Sequence, residues 1–301
     1  MRTLEAAKGK WAGVLTSLGI DAKCLDGHHH ECPATGQGED RFRFANRNGT
    51  GNFFCACSNG KEGGIGLLKC VHNWDFKKAA MEVDRVVGNI EQEKVAEKAG
   101  PDPVVRLRKI WDASTEAGVE VTGYLYKRNI RNMSKRIRQA RIMYFDKGVP
   151  TKEYNCMIAQ VVDPAGRPAS IHVTYLEGGS KADVQTQRKL LPVVRDWDGG
   201  AIRLWPALET LGVAEGIETA HSAAAMDNIP VWAVISAGNM EKFIWPANVK
   251  HLVIYADNDA SFTGHKAAYA LAFRAKRSGL IVTVKIPPEV GTDWNDVARL
   301  G

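Results

Sequence analysis

The chain has 301 residues, of which 45% are hydrophobic and 25% charged, so it can bury a substantial core distributed over two or three domains. Its 40 Lys and Arg exceed its 34 Asp and Glu and give a net charge of +6, which alone is only a weak indication of a polyanionic partner. No apolar run approaches the roughly 18 residues of a membrane span, and no secretory segment is evident. These features argue against a membrane partner and predict a cytoplasmic protein.

The N-terminal part, residues 1–90, is predicted to form a small domain. Residues 3–20 have the pattern of an amphipathic helix, and residues 65–88 are also predicted to be helical. Between them, Arg41-Phe-Arg-Phe44 and residues 52–57 flank the turn residues 47–51, which predicts a β-hairpin.

The first hairpin strand alternates basic and aromatic side chains. Exposed aromatic rings can stack on nucleic-acid bases while arginines contact phosphate, which makes Arg41, Phe42 and Arg43 candidates for DNA binding. The alternative is that Phe42 and Phe44 fill the core of the small domain while the arginines face water.

Cysteines cluster around this hairpin, and in a cytoplasmic chain clustered cysteines favour metal binding over disulfides. His30 and Cys32 form one pair and Cys55 and Cys57 another, which together supply the four ligands of a tetrahedral Zn²⁺ site. The alternative is a set of small buried cysteines beside a solvated histidine run.

Residues 91–103 are polar and contain two prolines, which predicts a linker. The following segment, residues 104–207, mixes predicted helices at 104–117 and 122–129 with strands at 155–163 and 169–175. Its run from Lys127 to Arg141 has seven basic residues and no acid. Such a run indicates either a solvated helix face or contact with a phosphate backbone, for which the candidates are Arg131, Arg136 and Arg138.

The C-terminal part, residues 208–301, alternates apolar strands with helices. Strands are predicted at 211–214, 231–236, 252–256 and 280–286, with a long helix at 263–278. This order is typical of an α/β domain with a mostly parallel sheet.

Carboxylates follow two of these strands. Glu215 comes directly after one, and Asp257 and Asp259 follow another. Because the carboxyl ends of parallel strands meet at one edge of a sheet, we expect the three acids to converge there and bind Mg²⁺ or Mn²⁺. The alternative is that Asp257 and Asp259 cap the next helix.

The segments Glu215-Gly-Ile-Glu-Thr-Ala220 and Tyr255-Ala-Asp-Asn-Asp259 resemble the Toprim domain, the catalytic fold of bacterial and phage primases, topoisomerases and some nucleases. The resemblance implies that Glu215, Asp257 and Asp259 are catalytic and hold the divalent metal. Gly291-Thr-Asp-Trp-Asn-Asp296 is similar to the end of phage-type primase Toprim domains, which makes Asp293 either a fourth metal-binding acid or a helix cap. Glu218 stands where bacterial primases usually have Asp, and its alternative role is a helix-surface carboxylate.

The cysteine-rich domain also has a family resemblance. His30-Glu-Cys-Pro33, Gly51-Asn-Phe-Phe-Cys55 and Gly63-Gly-Ile-Gly-Leu67 resemble the zinc ribbon at the N-terminus of phage and plasmid primases. The second pair departs from the usual Cys-x-x-Cys spacing, so His28, His29 or Cys70 remain alternatives to His30 as a ligand.

The middle segment is similar to the subdomain that precedes Toprim in phage- and plasmid-type primases, on the basis of residues 123–130, 171–176 and 178–182. That subdomain offers a basic ridge to template and nucleotide. The resemblance therefore implies that template and nucleotide contact Arg128, Lys181, Arg188 and Lys189.

Together these features predict a multi-domain α/β protein: a zinc-ribbon β-hairpin domain, a linker, an α+β basic subdomain and a Toprim domain. The resemblance implies a DNA primase that makes short RNA primers from ribonucleoside triphosphates on a single-stranded DNA template. No P-loop motif is present, so we expect a separate replicative helicase as a partner. The alternatives are a Toprim-family nuclease and a non-catalytic, zinc-dependent single-stranded DNA-binding replication protein.

Overall fold

A computed structural model describes residues 2–55, 63–90, 102–146 and 148–300. The chain divides into two compact units, residues 1–99 (unit 1) and residues 100–301 (unit 2). None of the helices in the described part of the chain is long and apolar enough to cross a membrane.

Unit 1 has more, shorter helices than the sequence pattern predicts. The expected helix at 3–20 is two helices, α1 and α2, and the expected helix at 65–88 is α3 and α4. Gly9 and Asn73 interrupt them with φ of 74° and 54°, a left-handed conformation that ends a helix. The bounds are α1 Arg2–Ala7, α2 Trp11–Ser17, α3 Gly63–His72 and α4 Phe76–Val87.

The predicted hairpin is confirmed and carries one further strand. The antiparallel sheet has the order β1 (His29–His30), β2 (Phe42–Phe44) and β3 (Phe53–Cys55), with Phe42 opposite Cys55. The aromatic rings of β2 pack into a core with Trp11 of α2 and Ile65 of α3. Gly64 lets α3 approach Trp11, because a Cβ there would lie 2.0 Å from the indole ring.

Unit 2 begins with an antiparallel sheet. Its strand order is β4-β5-β6-β7-β8, and β9 also pairs with β7. Most of the predicted linker lies outside the described residues, but Asp102 caps α5 by accepting a hydrogen bond from the Val104 N–H, and Pro103 is the first residue of that helix. The bounds are α5 Pro103–Asp112, β4 Thr115–Glu116, α6 Val119–Lys127, β5 Arg138–Asp146, β6 Val149–Val162, β7 Pro168–Glu177, β8 Ser180–Lys181 and β9 Arg188–Leu190.

The basic run from Lys127 to Arg141 does not form a helix face, so that interpretation of the sequence was wrong. The run starts at the last residue of α6, passes through a connecting segment and ends inside β5. Strand β5 was not predicted, and within it the exposed Arg141 stands next to Ile142 and Tyr144, which are buried.

The predicted parallel sheet is confirmed, with the order β11-β10-β12-β13. Both of its faces are covered: Val253 and Tyr255 of β12 pack toward α7, while Leu252 and Ile254 pack toward α8 and α9. Burial on both faces explains the continuous apolar composition of these strands. The bounds are β10 Thr210–Ala214, α7 Ile217–Asp227, β11 Val231–Ala233, α8 Ala237–Lys242, β12 His251–Tyr255, α9 Thr263–Arg277, β13 Ile281–Lys285 and α10 Trp294–Leu300.

Candidate active site

The carboxyl edge of the parallel sheet gathers the predicted acids. Strands β10 and β12 are parallel neighbours with Ala214 opposite Tyr255, so Glu215 and Asp257 leave the sheet side by side. A cavity of about 100 Å³ opens here and is lined by Glu215, Asp257 and Asp293. We refer to it as the acidic cavity. Asp259 does not line the cavity, although its charge raises the pKa of both Glu215 and Asp257.

Of these acids, Asp257 has the environment least favourable to its ionised form. Burial, followed by the charges of Glu215, Asp293 and Asp259, raises its pKa to about 7. Its Oδ1 atom is buried and accepts no hydrogen bond from the described residues. Burial and then the charge of Asp259 also raise the pKa of Glu215.

This donor set fits a hard divalent cation. Within the described residues, no three His, Cys, Asp or Glu side chains enclose a metal ion as they stand. The unpartnered Oδ1 atom of Asp257 and the mutual repulsion of the carboxylates are nevertheless what a bound Mg²⁺ or Mn²⁺ would compensate.

Two of the acids also cap helices, as the alternative interpretation proposed. The Asp259 carboxylate accepts hydrogen bonds from the Thr263 N–H (3.1 Å) and the Gly264 N–H (2.7 Å) at the start of α9. Bonds from the Ser261 hydroxyl and then from Gly264 lower the pKa of Asp259 to about 2. Asp293 accepts bonds from the first N–H groups of α10. Asp257 has no such role, because its side chain faces the acidic cavity.

Glu218 is not a helix-surface carboxylate, so that alternative was wrong. Its side chain is 3% exposed and accepts hydrogen bonds from the Tyr124 hydroxyl (2.5 Å) and the Arg188 guanidinium (3.0 Å). Burial alone would raise the pKa of Glu218, but the charge of Arg188 and then the Tyr124 bond lower it to about 2. Glu218 is therefore ionised and holds Arg188 at the wall of the acidic cavity.

Tyr124 and two further residues of this site were not predicted from the sequence. His172 lines the acidic cavity, and burial lowers its pKa to about 4, so its ring is neutral at physiological pH. Ile235 lines it as well, with φ of 73°, a rare conformation for a β-branched residue. Its N–H donates to the carbonyl of Glu215 (2.9 Å). Strained backbone of this kind concentrates at functional sites.

Of the four basic residues implied for template and nucleotide, Lys189 lies apart from Arg128, Lys181 and Arg188. Arg188 and Lys181 share the electrostatic environment of the acidic cavity, where burial and then the charge of Arg188 lower the pKa of Lys181. Arg128 bonds Asn295 at 3.3 Å. Lys189 points to the other face of β9, where it lies over the Tyr144 ring at 3.9 Å. Because successive strand residues face opposite sides, Lys189 cannot act beside Arg188.

The three DNA-binding candidates in the basic run, Arg131, Arg136 and Arg138, differ in how far other groups restrain their side chains. The Arg138 guanidinium donates to Ser114 and lies over a tryptophan ring, while the Arg131 guanidinium lies over the Tyr126 ring at 3.2 Å. Arg136 is exposed and lines a second pocket of unit 2.

In unit 1 the structure brings two of the predicted zinc ligands together. The Sγ atoms of Cys32 and Cys55 are 3.5 Å apart, close to the roughly 3.8 Å expected for two thiolates on one tetrahedral Zn²⁺. Cys57 lies outside the described residues. The His30 ring bonds the Asp26 carboxylate at 2.8 Å, so its role as a ligand stays a prediction.

Phe42 cannot stack on a base, because it is fully buried; the alternative, that Phe42 and Phe44 fill the core, is correct. The exposed ring of this sheet is Phe54, which is 50% exposed and lies 5.2 Å from the Arg43 guanidinium. Arg41 is exposed. The sequence pattern correctly predicted that side chains alternate between the two faces of this hairpin, but it did not show which face is buried.

Comparison with known proteins identifies three segments. Residues 27–65 match the zinc-binding domain of primase-helicase, and residues 210–301 match the Toprim domain. Residues 102–204 match a domain of unknown function.

Solved structures matched by this chain include the Aquifex aeolicus primase (zinc-binding and RNA polymerase domains), with 16% identity over 99% of this chain and 82% of that one and a TM-score of 0.43. The primase fragment of the bacteriophage T7 primase-helicase protein gives 14% identity, coverages of 91% and 95%, and a TM-score of 0.40. The domain assignment rests on the sequence matches. The chain therefore combines a zinc-binding domain of the primase-helicase type with a Toprim domain, as the resemblance predicted.

Proposed function

We propose that the chain is a DNA primase, a nucleotidyltransferase that joins ribonucleoside triphosphates on a single-stranded DNA template. The observation that carries the proposal is the acidic cavity, in which half-buried Glu215 and Asp257 stand at the carboxyl edge of the parallel sheet with Arg188 in the same wall. The zinc-binding domain of the primase-helicase type supports a primase over other proteins with a Toprim domain.

Glu215 and Asp257, with Asp259 and Asp293 beside them, are the residues that would hold Mg²⁺ or Mn²⁺. When bound there, the cation lowers the pKa of an attacking 3′-hydroxyl and neutralises charge on the phosphates. The raised pKa of Asp257 means that a proton must leave this carboxyl before it can serve as a ligand.

Arg188 supplies positive charge that is already oriented. Its bond to Glu218, which is itself fixed by Tyr124, restricts the guanidinium before a nucleotide arrives. Its side chain remains 43% exposed, so it can still contact a triphosphate. Lys181 adds a second cation in the same field. In unit 1, Cys32 and Cys55 would hold Zn²⁺ with Cys57 and His30, and we propose that the zinc-binding domain grips the template.

We also propose a replicative helicase as a partner. The support is the match to the zinc-binding domain of primase-helicase, in which priming and unwinding belong to one replication system.

Primer synthesis from labelled ribonucleotides on mixed-sequence single-stranded DNA tests the function, in Mg²⁺ and in Mn²⁺. We expect short template-dependent RNA from the wild type, and at least about a 100-fold loss in Asp257→Asn, which keeps the side-chain shape but removes the charge. Asp112→Asn, an exposed acid at the end of α5, is the matched control and should retain activity.

The alternatives give different results in the same experiment. Cleavage of the DNA without RNA synthesis would identify a Toprim nuclease. DNA binding that is unchanged in Glu215→Gln, with no RNA product from the wild type, would identify a non-catalytic binding protein.

A further inference from the structure

A second pocket of unit 2, of about 520 Å³, has a lining unlike that of the acidic cavity. We refer to it as the tryptophan pocket. It is lined by aromatic, cationic and amide side chains, chiefly Trp111, Trp205, Trp232, Arg136, Arg203 and Gln160. No carboxylate occurs among the described residues of its lining, which includes two arginines.

Arg203 shows an unused hydrogen-bond donor in this pocket. One guanidinium nitrogen of Arg203 donates to the Pro164 carbonyl at 2.7 Å, and the group lies 4.7 Å from the Trp232 ring centroid. Its Nε atom is buried and has no partner within the described residues. A buried N–H without an acceptor is costly, and an acceptor brought by a ligand would remove that cost.

The rest of the lining fits a nucleobase and its phosphate. Trp205 and Trp111 are half-buried, so part of each indole stays accessible. The Gln160 side chain makes no hydrogen bond within the described part of the chain, which leaves its amide free to read a base edge. Arg136 is exposed, where it can meet a phosphate. Aromatic stacking combined with a nearby arginine is how proteins hold single-stranded nucleic acid.

The position of the pocket suggests which nucleotide it takes. Ile202 lines both the tryptophan pocket and the acidic cavity, so the two are neighbours in unit 2. A strand that passes the acidic cavity can therefore place a neighbouring nucleotide in the tryptophan pocket.

We propose that the tryptophan pocket binds a base of the single-stranded DNA template, stacked on tryptophan with its phosphate on Arg136. The proposal rests on the proposed function, because it assigns part of the template path. It adds a base-binding site to the basic contacts, and so predicts that affinity depends on bases as well as on phosphates.

The test is fluorescence anisotropy of the full chain with two labelled 12-nucleotide strands, oligo-dT and its fully abasic counterpart, without ribonucleotides. For the wild type, we expect the abasic strand to bind at least about fivefold more weakly than oligo-dT, because stacking of one base in the tryptophan pocket is lost. In Trp205→Leu that difference should shrink by about the same factor.

Arg136→Ala is the second variant, and because the side chain is exposed it should fold normally. For this variant, the slope of log affinity against log salt concentration should be smaller in magnitude by about 0.7, because one phosphate contact with the single strand is lost. Arg277→Ala, at the end of α9, removes an equal charge from another element and should leave both the affinity and the salt dependence unchanged.

The proposal is overturned if Trp205→Leu keeps the full wild-type difference between the two strands, or if Arg136→Ala and Arg277→Ala behave alike. Either result would leave the proposed function standing, because primer synthesis is measured separately. Failure of primer synthesis with these binding differences intact would instead remove the catalytic proposal alone.

Discussion

Asp257 shows at the scale of one residue how a binding site opposes stability. Its carboxyl is half-buried beside Glu215 and Asp293, and the resulting rise of its pKa to about 7 means that the ionised form is unfavourable in the folded chain. An unfolded chain has no such penalty. The folded state therefore binds a proton more tightly, and in the absence of metal its stability falls as the pH rises from the ordinary range of Asp toward 7.

We expect Asp257→Asn to stabilise the metal-free protein by about 1–2 kcal/mol at neutral pH, because it removes one of several repelling charges. The same substitution should abolish the rise in melting temperature that Mg²⁺ or Mn²⁺ gives the wild type. Thermal unfolding with and without the cation measures both effects, with Asp112→Asn as the control. A destabilised Asp257→Asn protein would contradict this account of the site.

Tyr124 and Glu218 give stability a pH dependence opposite to that of Asp257. The folded state lowers the pKa of Glu218 to about 2, below its ordinary value of 4.5. The stability from this group is therefore present above about pH 4.5 and is lost as the pH falls toward 2.

We expect Tyr124→Phe to cost about 1–3 kcal/mol at neutral pH and to shift acid unfolding to higher pH, since Glu218 loses one of its two bonds. Urea unfolding across the acid range is the measurement. Tyr126→Phe is the control, because that tyrosine is exposed on the same helix. Equal acid unfolding of the two variants would show that the Tyr124 bond does not set the pKa of Glu218.

At the scale of elements, the start of α9 is fixed by a close backbone contact. A Cβ on Gly264 would lie 2.6 Å from the carbonyl oxygen of Asp257, whereas a Cβ on Gly238 in α8 would meet nothing within 4 Å. The first turn of α9 therefore sits directly against the end of β12, where Asp259 caps it.

Two Gly→Ala substitutions should consequently act in opposite directions. Gly264→Ala must push α9 away from Asp257, and we expect a loss of about 1–3 kcal/mol together with reduced primer synthesis. Gly238→Ala should stabilise the protein by up to about 1 kcal/mol and leave synthesis unchanged, because alanine favours helix. Urea unfolding and the primer assay on both variants test this, and equal effects would contradict the proposed contact.

The elements that sequence predicted best are those with continuous apolar strands. Strands β10 and β12 and the acids after them follow from local pattern, since a buried parallel strand is apolar throughout and ends where polarity begins. The helix breaks at Gly9 and Asn73 were not predicted, because the apolar residues before and after each break have similar helical spacing.

Contacts between distant residues could not be predicted in the same way. Tyr124 and Glu218 are 94 positions apart, and only the folded chain shows that they bond. The face that Phe42 presents depends likewise on what packs over the hairpin, which alternation alone does not specify. The strained Ile235 has no local signal either, because isoleucine is ordinarily found in extended strands.

At the scale of the whole molecule, the two units have separate hydrophobic cores. The core of unit 1 gathers around Trp11, Phe42 and Ile65, while unit 2 has its own clusters on both sides of the parallel sheet. A small domain with short strands gains much of its stability from a structural metal, whereas a large buried sheet does not need one. The two units should therefore respond differently to removal of zinc.

We expect a strong zinc chelator to lower the unfolding temperature of unit 1 by at least about 10 °C, while the transition of unit 2 stays unchanged. Cys32→Ser should reproduce the effect without chelator, because it removes one of the two thiols that lie 3.5 Å apart. Cys24→Ser is the matched control, since Cys24 is a half-buried cysteine of the same unit outside the predicted zinc set. Scanning calorimetry of the full chain separates the two transitions. If Cys24→Ser and Cys32→Ser behaved alike, or if chelation affected unit 2, zinc would not be what holds the hairpin domain together.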